Sequence, residues 1–183
     1  MADPKSRFKE LVAKYIKRDG IENIMEVLEK SDFYTAPAST RFHGSDKEGL
    51  VTHSLAVFDR LVQKVEGQYT METIALVALF HDLCKMGFYD VEMRNRKNER
   101  GQWEKYPFYI VNDLFPLGHG EKSVILLMQE IELEIEEMMA IRWHMGLSVP
   151  KEDYNALGKA FGEFPLALML HEADLEATYL DKL

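Results

Sequence analysis

Six positions in this chain could act together on a metal ion: His53, the adjacent pair His81 and Asp82, His119, His144 and Asp174. Imidazole and carboxylate together are a suitable donor set for a divalent transition metal. Taken singly, each histidine is more simply a hydrogen-bonded core or boundary residue, because buried polar groups normally find a partner. Their number and their settings favour a joint role. "LVALFHDLCKMG" carries an apolar run, Leu76 to Phe80, directly into His81 and Asp82. Asp82 and Asp174 both sit in apolar sequence, where an unpaired buried carboxylate is costly. Few cations lie along those faces, and a divalent ion would remove the cost.

The elements that must position these groups are mostly helical. "RFKELVAKYIK" puts Phe8, Leu11, Val12, Tyr15 and Ile16 on one face, and "IENIMEVLEK" does the same with Ile21, Ile24, Met25 and Leu28. Gly20 between them is a helix stop. A loop rich in Pro, Ser, Thr and Gly covers "SDFYTAPASTRFHGSDKEG". The periodicity predicts further helices over about Leu50–Val65, from Met71 into the His-Asp pair, and over Glu121–Gln129, Leu133–Trp143, Tyr154–Phe161 and Pro165–Leu180. The alternation "EIELEIEE" is strand-like, but its neighbours favour helix. Between Met86 and Leu117 the pattern changes: "RNRKNERGQW" is a polar turn and "WEKYPFYIV" is aromatic and β-rich, so a short hairpin or ordered flap is expected. The expected fold is an all-α helical bundle with a small aromatic-rich insertion. It forms one domain over 1–183, with N-terminal helices in 1–40 and the metal-binding core in 41–183. Five successive helical segments then each deliver one or two candidate ligands.

Composition excludes several classes. The chain has 183 residues, 46% of them hydrophobic and 29% charged, which is a globular composition. Its net charge of −9, with no basic block, argues against long nucleic acid, whose affinity comes from Lys and Arg neutralising phosphates. A mononucleotide or short oligonucleotide is compatible if positive charge is concentrated locally. The one cysteine, Cys84, excludes an intrachain disulfide or a Cys-rich zinc module. "MADPKSRFKE" has no signal-peptide core, and "IALVALF" is too short to span a bilayer, so no membrane partner and a cytoplasmic location are expected.

The order His53, His81-Asp82, distal Asp174 on an all-α bundle resembles the HD superfamily of metal-dependent phosphohydrolases. "HDLCK" is similar to the family's doublet with its associated lysine, Lys85, and "FHGSDKEGLVTHSL" resembles the lead-in to the first His. His119 and His144 resemble the extra pair of binuclear members. The resemblance covers about Arg41 to Tyr179. It implies one ion on His53, His81, Asp82 and Asp174, with Asp82 bridging to a second ion on His119 and His144. Two such ions, of Mn, Fe, Co, Ni or Zn, about 3.5–4 Å apart would clamp a phosphoryl oxygen and bring the pKa of a water towards about 7. Asp82 and Lys85 would be catalytic, with Lys85 steadying a phosphate oxygen or assisting the water. A solvated lysine at a helix C-terminus is the simpler alternative.

Other residues are candidates of lesser weight. Lys85, His43, Arg142 and Trp143 are expected substrate contacts, and Trp103, Tyr106, Phe108 and Tyr109 could stack on a base or simply pack a flap. His171 shares a helix face with Asp174, as a partner of the ligands or as a boundary residue. Glu121 could orient His119 or favour its own helix start. Cys84 is most simply an apolar filler. "MGFYD" after the doublet lacks the motif of the cyclic-di-GMP-degrading subclass. Three function classes follow. The first is a phosphohydrolase on a nucleotide, small phosphoester or short cyclic oligonucleotide. The others are a di-iron oxygenase on the same scaffold and a non-catalytic nucleotide-binding module. A homo-oligomer is compatible with all three.

Overall fold

The computed structural model describes residues 3–39 and 48–181. Two short helices come first, α1 (Pro4–Tyr15) and α2 (Ile21–Lys30). Asp3 caps α1, its carboxylate accepting from Ser6 N–H (3.0 Å), and Pro4 occupies the first turn, where no N–H is missed. Phe8, Val12, Ile16, Ile21, Ile24 and Leu28 are buried, as the periodicity requires, while Leu11, Tyr15 and Met25 pack at the edge of the core. Gly20 joins the two helices at φ +88°, and a Cβ there would lie 1.8 Å from the Glu130 carbonyl oxygen. Only glycine permits both that backbone and that approach.

The centre of the molecule is α4 (Met71–Phe80). Thr70 caps it by accepting from Thr73 N–H, and every residue from Ile74 to Phe80 is buried. A helix apolar all round must be surrounded, and α4 is flanked by α1, α3 (Gly49–Lys64) and α6 (Ile135–Trp143). At roughly 1.5–3 kcal/mol per large side chain, its burial is a major source of stability. Helix α8 (Pro165–Leu180) packs on both α3 and α6, α5 (His119–Met128) on α6, and α7 (Tyr154–Glu163) on α8.

The segment "EIELEIEE" differs from expectation. The chain is non-helical over residues 131–134, and α6 starts only at Ile135, because Glu134 and Glu137 form a capping box there. Glu137, almost fully buried, is also held by both terminal nitrogens of Arg18 at 2.6 Å, which ties α6 to the turn after α1.

The insertion is a long antiparallel hairpin, β1 (Tyr89–Lys97) paired with β2 (Trp103–Val111), from Tyr89 opposite Val111 to Lys97 opposite Trp103. The fold is therefore mostly helical with one small two-stranded sheet. Among the described residues no helix is long and apolar enough to cross a membrane.

Candidate metal centre

Two helices end in the same way. His81 follows Phe80 at the C-terminus of α4, and its ring turns back so that Nδ1–H donates to the carbonyl of Ala78 (2.8 Å). His144 follows Trp143 at the C-terminus of α6 and donates to Ile141 (2.7 Å). Helix C-termini leave their last carbonyls without intrahelical partners, so each ring satisfies one of them. Because a carbonyl can only accept, Nδ1 carries the proton there, and Nε2 is the nitrogen left to face the interior. Both Nε2 atoms are buried without a hydrogen-bond partner, and so is Oδ1 of Asp82.

These atoms converge. Asp82, between α4 and a 3₁₀ turn at Leu83–Lys85, places Oδ1 3.5 Å from His144 Nε2 and Oδ2 3.4 Å from His81 Nε2. His53, from α3, brings Nε2 within 3.8 Å of Asp82 Oδ2 and 2.9 Å of Asp174 Oδ1 on α8. The His53 and His144 rings flank that of His81, with centroids 5.3 and 4.9 Å from it. Among the described residues the donors form two groups, His53–His81–Asp82 and His81–His144–Asp174, each with its ligand atoms within 4.8 Å of one another.

The donor set fits a divalent ion. Two ligand atoms each about 2.1 Å from a tetrahedral ion lie roughly 3.4 Å apart, close to the spacing of Asp82 from His81 and His144. The backbone carbonyls behind both rings are the usual second partners of ligating imidazoles. Burial pushes the Asp82 carboxyl upward, but the Lys85 ammonium at 2.6 Å leads the opposing charges, which hold the group well below its ordinary value. Burial likewise opposes ionisation of Asp174, and its bond with His53 leads the charges that bring it down to about 2. Both are therefore carboxylates, the form a metal needs. Lys85 Nζ lies 2.6 Å from Asp82 Oδ2; burial acts to lower its pKa, but the carboxylate more than compensates and keeps it ammonium. A cavity of about 360 Å³ opens over this cluster, its walls including His53, Asp82, Lys85, Tyr89, His119, His171 and Asp174.

The remaining expectations divide. His119 begins α5 and lines the same cavity, but it belongs to neither donor group. Its Nδ1 faces Cys84 Sγ at 3.3 Å, its ring meets Phe88 edge-on, and burial lowers its pKa. The structure thus pairs His144 with His81 and Asp174 rather than with His119. Arg142 and Trp143, expected as substrate contacts, are engaged elsewhere. Arg142 bonds Glu121 (2.5 Å) and stacks on Trp143 (4.0 Å), Trp143 is buried in the core, and neither lines the cavity. Glu121 is therefore a tie between α5 and α6. His43 lies outside the described residues.

The role of His171 was the least legible. Its Nδ1–H donates to the His144 carbonyl (2.6 Å) and its ring stacks on Phe161. That ring occupies the space over Gly146, where a Cβ would come within 2.2 Å of it. Gly146 also has φ +52°, so the turn that aims His144 is moulded around His171. The sequence signal was the shared face with Asp174, but nothing in it gave the partner. Comparison with family models, with curated proteins and with solved structures found no match to this chain.

Proposed function

We propose that the chain is an HD-type metal-dependent phosphohydrolase, acting on the phosphoester of a nucleotide or a related small molecule. One observation carries this: three buried, unpartnered atoms, His81 Nε2, Asp82 Oδ1 and His144 Nε2, converge beneath a cavity that also holds an ammonium. Each unpartnered group costs about 1–3 kcal/mol, and an arrangement of three has no structural benefit unless something binds them. His53, His81, Asp82, His144 and Asp174 would hold the ion, with His119 the donor left on the cavity wall for a second. A bound divalent ion supplies Lewis acidity, which activates water and polarises a phosphoryl oxygen.

The chain's own groups do the positioning. Ala78 and Ile141 fix two rings by their Nδ1 protons, so the donor nitrogens need no reorientation on binding. Lys85 keeps its charge in a buried place beside Asp82, where it can hold an anionic substrate oxygen. Tyr89, which also lines the cavity, is kept a neutral phenol by burial and donates its O–H to the Ala38 carbonyl (3.3 Å).

The test is phosphate release from nucleotides, simple phosphoesters and cyclic dinucleotides with Mn, Fe, Co, Ni, Zn or Mg in turn. Release should be greater with a transition metal than with Mg, as imidazole donors require, and absent in Asp82→Ala. No release with any metal would refute it, and iron-dependent oxygen consumption in its place would assign the oxygenase alternative.

A further inference from the structure

The hairpin is built with one finished face and one unfinished face. Alternation along its strands sorts the side chains by parity. On the even-numbered face, Arg94 pairs with Glu92 and stacks on Phe108 (3.6 Å), while Arg96 bonds Glu104 (2.7 Å) and stacks on Tyr106 (4.9 Å). Glu92, Glu104, Tyr106, Phe108 and Ile110 are accordingly half-buried. On the odd-numbered face, Lys97 overlies Trp103 (5.4 Å) and Tyr109 meets Tyr89 edge-on, yet Val91, Met93, Trp103 and Val111 still stand 55–69% exposed. The chain leaving β2 adds Leu114, Phe115 and Leu117, 42–82% exposed. Together these seven side chains leave on the order of 700 Å² of mostly apolar surface, near the ~800 Å² that each partner of a standard complex buries.

The strands pack principally on each other, and a two-stranded hairpin is marginal in water without a surface to lie on. Charge indicates which surface. Residues 94–105 carry five basic and two acidic side chains, a net +3, so the rest of the −9 chain stands at −12. The best electrostatic partner for the hairpin tip is therefore the body of this protein. The odd face also runs from the tip, where Lys97, Trp103 and Lys105 stand, to the register pair Tyr89 and Val111 on the cavity wall.

We propose that the odd face is covered by the same face of a second copy, paired antiparallel about a twofold axis, so that Lys97, Trp103 and Lys105 of each copy overlie the other's cavity. A parallel pairing would stack two positive tips, whereas the antiparallel one lays each tip on an acidic body. Both hairpins have equal length, about 27 Å over eight residue steps, so each tip reaches the other's base. The interface is self-complementary, as a twofold contact must be. It also adds to the cavity. Beside Lys85, the one ammonium among the described lining residues, an incoming phosphate gains Lys97 and Lys105 of the second copy, and the exposed Trp103 ring, which Lys97 overlies at 5.4 Å, offers its other face to a base. This completion of the site in trans rests on the phosphohydrolase reading; the pairing itself does not.

Sedimentation of the full chain at micromolar concentration tests the pairing without any assay of activity. The wild type should be a dimer that weakens with salt, and Val91→Glu/Met93→Glu should be monomeric with an unchanged helical circular dichroism spectrum. A monomeric wild type, or a variant that still dimerises, overturns the pairing. So does a monomer that binds a single-stranded oligonucleotide through Trp103, which would assign the face to nucleic acid. Completion in trans is tested by mixing Lys97→Gln/Lys105→Gln subunits with Asp82→Asn subunits, each expected to be nearly inactive alone, under low-salt conditions where sedimentation shows both variants to be dimeric. Random exchange makes half the dimers mixed, each with one complete site, so about a quarter of the wild-type rate per chain should return. An active wild type with no recovery in the mixture overturns it.

Discussion

Replacing His144 by Leu separates a ligand from a structural histidine. His144 is fully buried; its Nδ1–H bonds Ile141, and its Nε2 has no partner. The bond is worth about 0.5–1.5 kcal/mol, and the orphaned nitrogen costs about 1–3 kcal/mol. Leucine fills similar space and removes the orphaned nitrogen, but it leaves the Ile141 carbonyl without its donor at a similar cost, so metal-free stability should change by no more than about 2 kcal/mol. The wild type should also gain stability with metal, about 2.7 kcal/mol at a hundredfold excess over Kd. For a chain of this size that is a Tm increase of roughly 5–11 °C. Scanning calorimetry in chelator and in excess Mn²⁺ or Zn²⁺ reads both quantities. The variant should stay within about 2 kcal/mol of the wild type in chelator and lose most of the metal-dependent increase. A loss of more than about 3 kcal/mol in chelator, or a wild type whose Tm ignores metal, would show that His144 is an ordinary core residue.

Three further perturbations probe its surroundings. His171→Asn keeps a donor for the His144 carbonyl and His171→Leu does not, so only the Leu variant should bind metal about 10–100-fold more weakly by titration. Burial, then the Asp82 charge, pushes the Cys84 thiol up to about 12, from an ordinary value of 9.0. The native thiol should therefore resist alkylation at pH 8 and react on unfolding. Because the folded value is the raised one, this contribution to stability is whole below pH 9 and is lost as pH rises towards 12. Cys84→Ala should flatten that alkaline limb, and an equally steep limb would count against the assignment. Glu137→Ala leaves Arg18 partly buried without its bidentate partner, and denaturant unfolding should show a loss of about 3 kcal/mol or more.

Much of the fold could be read from local pattern. The helix faces of α1 and α2 follow from 3.6-residue spacing, the burial of α4 from its unbroken apolar run, and the aromatic β-rich run after Gly101 became β2. The start of α6 was misplaced because a capping box, not hydropathy, fixes it. Length and isolation of the hairpin were not legible either, since both depend on what the strands fail to touch.

At the site, the residue types were legible, and the resemblance implied His53, His81, Asp82 and Asp174 together, but it set His144 with His119. His53, His81, Asp82, His144 and Asp174 meet because α3, α4, α6 and α8 pack with those ends together, which no spacing encodes. The signal that could have placed His144 with His81 is their common setting, "LFH" and "RWH", an aromatic residue and then His at a helix C-terminus. Lys85 was foreseeable from its position near Asp82. The diversion of Arg142 to Glu121 was not, because it is settled by the packing of α5 on α6.

The account depends most on Asp82 and its two imidazoles forming a metal site. Calorimetric titration of the chelator-treated full chain with Mn²⁺ or Zn²⁺, beside Asp82→Asn, measures this directly. The wild type should bind at least one ion per chain, and two if His119 completes a second position. Asp82→Asn should bind none while its helical spectrum persists. An unresponsive wild type, or a variant that binds with the same stoichiometry and affinity, would contradict the account.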